Sequence, residues 1–435
     1  MKNKFIISKY VMLQYLAFLL NPLLSLIVSF FYLIKKSSKV SIIILSMSIA
    51  LIFIYLPLMY DTSSNFYMNA SALYNLESVF NLRLYNMIPL YLKESFDIQF
   101  MTVIFFYSSF ILYIWFSILL HYKQYAKSNQ VIYFLIAFTF LSLIYRDIMD
   151  LNRFYLATSL FLLFLYLYEV KKKKYSLIYI ILFSILGMQI HTAFLLFIVL
   201  FIVSNNISNL FFYKVYPFVM IILSLFSVKI FLLLFNLPIL NIQPELFNMI
   251  EGYFSANNKW GAAYIDAGHI LLRIIEVILI LIIYYIGILR LKDNKKDTVV
   301  KFTLLLAGLV LFLLKFNALY ERYSLAFFLF SILLIYSNII KKKKVSLRYI
   351  SIIVLMLIRF LFINFFIYGI IFTSDYSKIL KNEEKKNEMM VKPLYYPTIL
   401  LLNVKEHGYS DTYISKESTR GLEYFDSWRK NPALK

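Results

Sequence analysis

Arginines, carboxylates and a histidine that interrupt apolar runs are where this sequence could do chemistry. An ionisable group at membrane depth costs about 2.5–3.5 kcal/mol on insertion and needs a compensating role. The densest group is Arg146-Asp147-Ile148-Met149-Asp150-Leu151-Asn152-Arg153. In a helix, Arg146, Asp150 and Arg153 fall at i, i+4 and i+7 on one face. Such a set either ties a helix end to the interface, with Asp150 as its N-cap, or forms an anion site whose arginines grip a phosphate bidentately. His191 breaks the apolar run Leu186 to Phe194. It is either a hydrogen-bonded interfacial residue or a side chain that takes a proton near neutral pH. His269, Arg273 and Glu276 repeat the i, i+4, i+7 spacing, so their face must turn toward protein or a water-filled cavity. Arg273 and Glu276 either neutralise one another or contact substrate. Glu321-Arg322 sits between Tyr320 and Tyr323 at a boundary where an aromatic belt is expected, and Arg322 is a second candidate phosphate ligand. Asp61, followed by Tyr67, is a candidate carboxylate at the mouth of a span, while Lys229, Lys315 and Arg359 are expected to snorkel or pair.

These groups need a scaffold, and the composition says which kind. The chain of 435 residues is 61% hydrophobic and 15% charged, with a mean hydropathy of +0.75. A soluble domain is about 45–50% apolar and about 25% charged. The apolar residues are clustered, and windows such as Ile42 to Leu58 and Phe302 to Leu314 carry no charge. The expected fold is an all-α polytopic integral membrane protein of about 12 transmembrane helices. Spans are expected near 11–34, 40–60, 98–120, 131–145, 150–169, 176–190, 192–204, 217–236, 269–290, 301–319, 323–340 and 347–372. The two around His191 are short for a hydrocarbon core of about 30 Å and read as half-spans or one bent hairpin.

The net charge of +21 comes from cations in short clusters between apolar runs: Lys35-Lys36, Lys171 to Lys174, Lys295-Lys296 and Lys341 to Lys344. That is the pattern of a cytoplasmic boundary rather than of a nucleic-acid site. Alternation places His191 and the arginines on the opposite, outer side. Lys2, Lys4 and Lys9 conflict with that alternation, and a break at Asn21-Pro22 would resolve it. Residues 5–34 lack a small-residue cleavage site and read as a retained first span. The transmembrane domain is expected over residues 1–372, with outer loops at 61–97 and 237–268, and a polar tail over 373–435 on the periplasmic side. The charge run Lys378 to Lys392 makes the tail a soluble or loosely ordered extension.

Cysteine is absent, so a thiolate metal site or disulfide cannot form, and nothing beside His191 supplies zinc spacing. No metal and no cofactor are expected. With nine glycines and no Walker sequence, an ATP-driven pump is disfavoured. The residues alone describe an outward-facing, cation-lined cavity with one histidine, suited to an anionic lipid-linked substrate.

The order of four short elements resembles the EpsG-type branch of the bacterial Wzy O-antigen and exopolysaccharide polymerases. They are Asp61 with Tyr67, Asn152-Arg153-Phe154-Tyr155-Leu156-Ala157, Ile190-His191-Thr192-Ala193-Phe194, and Glu321-Arg322-Tyr323. The resemblance implies a metal-independent membrane glycosyltransferase of GT-C type in the bacterial inner membrane. It would move a growing glycan from undecaprenyl diphosphate to the nonreducing end of an incoming lipid-linked repeat unit, on the periplasmic face. Its partners would be that lipid-linked oligosaccharide, membrane lipids and a chain-length regulator protein, with no nucleic acid. On this reading Arg153 and Arg322 hold the diphosphate, Arg146, Arg273 and Glu321 are further substrate contacts, and His191 is the base or positions the acceptor, with Asp61 behind it. Direct displacement would invert the anomeric centre.

An O-antigen ligase uses the same donor with another acceptor, and acceptor choice is not legible in these residues. A flippase would place its cations in a central lumen, whereas here they cluster at the outer ends of spans. A membrane acyltransferase would want its histidine on the other side. In the loop 237–268, Trp260 and Tyr264 could stack on sugar rings or simply pack the loop.

Overall fold

Leu, Ile, Phe and Tyr fill the apolar runs, and in lipid every backbone N–H and C=O must be satisfied within the segment, so helices follow. The computed structural model describes residues 9–36, 38–56, 84–144, 147–148, 151–171, 176–235, 267–295, 297–364 and 383–417. Among these every regular element is helical: α1 (Lys9–Leu20), α2 (Pro22–Lys35), α3 (Lys39–Phe53), α4 (Leu84–Phe96), α5 (Phe100–Lys123) and α6 (Asn129–Ser142) come first. α7 (Asn152–Lys171), α8 (Ser176–Ile190), α9 (Ala193–Asn206), α10 (Leu210–Phe235), α11 (Ala267–Asp293), α12 (Thr298–Phe312), α13 (Asn317–Ile339) and α14 (Leu347–Phe362) follow. The C-terminal segment forms α15 (Glu383–Tyr395), α16 (Thr398–Leu402), α17 (Val404–His407) and α18 (Asp411–Glu417). Asp61, Arg146 and the loop 237–266 lie outside the described residues.

Among the described residues five helices, α5, α7, α10, α11 and α13, are long and apolar enough to cross a bilayer, and α1, α2, α3, α6, α8, α9 and α12 are shorter apolar helices. α13 is the axis of the bundle. It packs against α6, α7, α11 and α12, and 83% of its most apolar stretch is buried, against 22% for α10 at the periphery.

Two ends of the bundle differ in chemistry. At one, Arg290 of α11 pairs with Asp297 at 2.7 Å and Glu169 of α7 at 3.4 Å, and donates to Ser337 near the end of α13. Tyr122 donates to Glu169 at 3.0 Å, and Lys123 to the Ile34 carbonyl at 2.8 Å. This end also carries Lys35, Lys36, Lys295 and Lys341 to Lys344. The first turn of α13 lies about 35 Å away along its 23 residues.

The first expected span is broken. Asn21 caps α2, its Oδ1 accepting from the N–H groups of Leu23 at 2.8 Å and Leu24 at 3.2 Å, with Pro22 at the first helical position. α1 then folds back along α2, so that Tyr10 meets Tyr32 with ring centroids 5.6 Å apart and the Lys36 ammonium lies over the Tyr10 ring. Lys9 therefore shares an end with Lys35 and Lys36, which removes the conflict that its charge posed.

A second boundary moves. Spans expected at 301–319 and 323–340 are instead α12 and α13, and the turn falls at Leu313–Phe316. Tyr320 to Tyr323 thus lie within the opening turns of α13 rather than in a connection. The C-terminal helices dock on the end opposite the lysines. Asn21 Nδ2 donates to the Pro393 and Tyr396 carbonyls, both at 3.0 Å, and Tyr55 to the Leu401 carbonyl at 2.7 Å. Asp411 pairs with Lys93 and accepts from the Phe100 N–H at 2.9 Å, capping α5. Lys405 hydrogen-bonds Asp97 at 2.6 Å and holds that exposed carboxyl below its usual range.

Candidate functional site

The start of α7 is fixed by Asn152. Its Nδ2 donates to Ser108 Oγ of α5 at 2.9 Å and its Oδ1 accepts from the Tyr85 hydroxyl of α4 at 3.1 Å. Both contacts are buried, so the next two residues have a defined placement. Arg153 is half-buried at the opening of α7, where the helix dipole favours an anion. Its buried Nε has no hydrogen-bond partner among the described residues. Phe154 meets the His191 ring edge-on at 5.5 Å and Tyr323 edge-on at 6.3 Å. One phenyl ring therefore joins three of the elements picked out in the sequence.

His191 stands at the crest between α8 and α9. Its Nδ1 accepts from the Ala193 N–H at 3.0 Å, which satisfies one of the orphan donors at the start of α9. In the neutral ring the proton then sits on Nε2. Arg322 is half-buried one residue before Tyr323.

A recess of about 90 Å³ is lined from α11 by His269, Arg273 and Glu276, from α13 by Tyr320, Glu321 and Ser324, and from α14 by Arg359. Ile144, Asp147 and Leu151, spaced i, i+3, i+7 ahead of α7, close it. The single face expected for His269, Arg273 and Glu276 is seen. Arg273 donates to the Leu314 carbonyl at 2.6 Å and to Asn317 Oδ1 at 2.7 Å, with its guanidinium 4.9 Å from the Tyr320 ring centre. It thereby pins the α12–α13 turn. Glu276 accepts from Arg359 Nε at 2.7 Å. Arg359 is 0% exposed, its guanidinium lies 4.3 Å from the Phe328 ring centre, and its two Nη atoms have no hydrogen-bond partner among the described residues.

The recess carries Asp147, Glu276 and Glu321 against Arg273 and Arg359. It lacks the cationic excess expected of a cavity for an anion. Donors and acceptors mixed in this way suit hydroxyl groups. Arg359, expected to snorkel or pair, is paired, and Asp147 of the Arg146–Arg153 group joins it in the lining although neither is among the substrate contacts expected from the sequence. The i, i+3, i+7 spacing of Ile144, Asp147 and Leu151 is a local signal for Asp147. Arg359 is marked as a cation within an apolar run, but nothing local names its partner, 83 positions away. Among the described residues no cluster of His, Cys, Asp or Glu has the makings of a metal site.

No curated protein and no solved structure matches the chain. Residues 84–381, from the start of α4 to just before α15, match the EpsG family, and the chain belongs to that family.

Proposed function

We propose that this protein is a polysaccharide polymerase of the inner membrane, with about 12 spans in a GT-C-like arrangement and its site facing the periplasm. It transfers a growing glycan from undecaprenyl diphosphate to the nonreducing end of a lipid-linked repeat unit. The observation that carries this reading is the junction at Phe154, the residue after Arg153, whose ring meets those of His191 and Tyr323, in a member of the EpsG family.

The chemistry asks for two things that these residues can supply. As the acceptor hydroxyl attacks the anomeric carbon, the bond to the diphosphate breaks and its electron pair leaves on the phosphate oxygen. Arg153, with its unpartnered Nε, and Arg322 stabilise that developing charge in a low-dielectric site. The acceptor proton needs a carboxylate or imidazole within reach. Because Nδ1 of His191 is engaged by a backbone N–H, the neutral ring offers Nε2–H as a donor, which suits positioning. The proton then passes to a carboxylate, for which Glu321 in the recess is the described candidate and Asp61 the other. Attack opposite the leaving group inverts the anomeric centre without a metal, and retention in the product linkage, read by NMR, would exclude that course.

The test is deletion of the gene in its host with complementation, reading lipopolysaccharide ladders and lipid-linked intermediates. A core capped by a single repeat, restored to a ladder by wild type but not by Arg153→Ala, establishes the polymerase. Uncapped core with long polymer on its lipid carrier means a ligase. Uncapped core with single lipid-linked units held on the cytoplasmic face means a flippase.

A further inference from the structure

The C-terminal helices are amphipathic in a particular way. On α15, Met389 and Lys392 turn inward, while Val391, Leu394 and Tyr395 form the opposite face and are exposed. On α16, Thr398 and Leu401 are buried, and Ile399, 67% exposed, and Leu400 are not. Large apolar side chains left open over two successive helices mark an interaction surface.

What lies beside this surface identifies its partner. α15 packs on α2 and α16 on α1, and the two bonds from Asn21 fix Pro393 and Tyr396 at the tip of the α1–α2 hairpin. The same hairpin leaves Leu19, Leu20, Leu24 and Ile27 exposed around that tip, as a helix facing acyl chains would. The open face of α15–α16 therefore lies beside the exposed apolar tip of this hairpin. Immediately afterwards the chain turns polar: Lys405 and Glu406 on α17 have side chains 62% and 70% exposed. Tyr395 within this exposed face is of the residue type favoured at headgroup level, where an amphipathic ring has both an apolar and a wet side.

We propose that the α15–α16 corner lies in the headgroup and upper acyl region of the leaflet at the site-bearing end, as an in-plane membrane anchor. Helices of this type bury an apolar face about 5–10 Å below the headgroup boundary. The segment is then a collar laid on the bilayer, with α17 and α18 rising from it into water.

The absence of cysteine makes the test direct. Leu394→Cys, Ile399→Cys and Glu406→Cys, each in the full chain, are spin-labelled and reconstituted into phosphatidylethanolamine–phosphatidylglycerol vesicles. All three positions are exposed, and monodisperse elution before reconstitution checks the fold. At 394 and 399 the nitroxide is expected to collide more with dissolved oxygen than with a water-soluble nickel chelate, and at 406 the order reverses. Preference for nickel at 394 and 399 would put the corner in water and overturn the proposal. Shielding from both reagents would overturn it too, spin–spin broadening then identifying a second copy of the chain as the cover. None of these readouts depends on polymerisation.

Discussion

His191 accepts a backbone hydrogen bond through Nδ1, so its substitutions can separate folding from chemistry. Asparagine places an oxygen where Nδ1 lies but has nothing at Nε2. His191→Asn is expected to fold and elute like wild type while transfer falls about 100-fold or more, as when one preorganised donor is lost; unchanged polymer from this variant would remove His191 from the mechanism. The Glu276–Arg359 pair behaves differently, being buried and shared by two helices. Arg359→Met alone strands a buried carboxylate and is expected to cost about 3–5 kcal/mol. Glu276→Leu combined with Arg359→Met removes both charges and is expected to recover most of that loss, read as thermal unfolding in detergent. The sequence marks Glu276 through its spacing from His269 and Arg273, because helical periodicity is local. It cannot mark Arg359 as the partner, because that contact exists only once α11 packs on α14.

At the level of elements, α8 and α9 form a tight hairpin whose closeness depends on Gly187. A Cβ there would stand 2.1 Å from the Phe194 ring, itself held edge-on against Phe161 at 5.2 Å. Gly187→Ala is expected to destabilise the hairpin by about 1–3 kcal/mol through overpacking. Lower thermal stability together with weaker transfer is the expected result; an unperturbed melting temperature would mean that the ring moves freely. The Asn21-Pro22 break was legible because a cap residue and a helix-starting proline are adjacent in sequence. The start of α13 was not. Lys315 and Asn317 read as a span interior interrupted by polar residues, and the turn there is held by Arg273, 41 and 44 positions away.

On the scale of the whole molecule, the C-terminal segment read as a charged extension, yet Asp411 binds residues more than 300 positions earlier. Charge composition carries no trace of such a partner. Asp411→Ala leaves the Phe100 N–H without its acceptor, a loss of about 1–3 kcal/mol for a buried donor. Limited proteolysis of that variant is expected to cut the 383–417 segment faster than in wild type, with the rest of the bundle resistant; equal rates would mean that the other bonds hold the segment alone. The short hairpin at His191 has a consequence of another kind. At 15 and 14 residues, α8 and α9 span about 22 Å and 21 Å, well under a hydrocarbon thickness of about 30 Å. Hydrophobic mismatch of this size is relieved by thinning the surrounding bilayer. The membrane surface would dip toward His191, so on the proposed function a lipid-linked substrate would bring its headgroup down to the crest of the hairpin, and transfer would slow in thicker, longer-chain lipid.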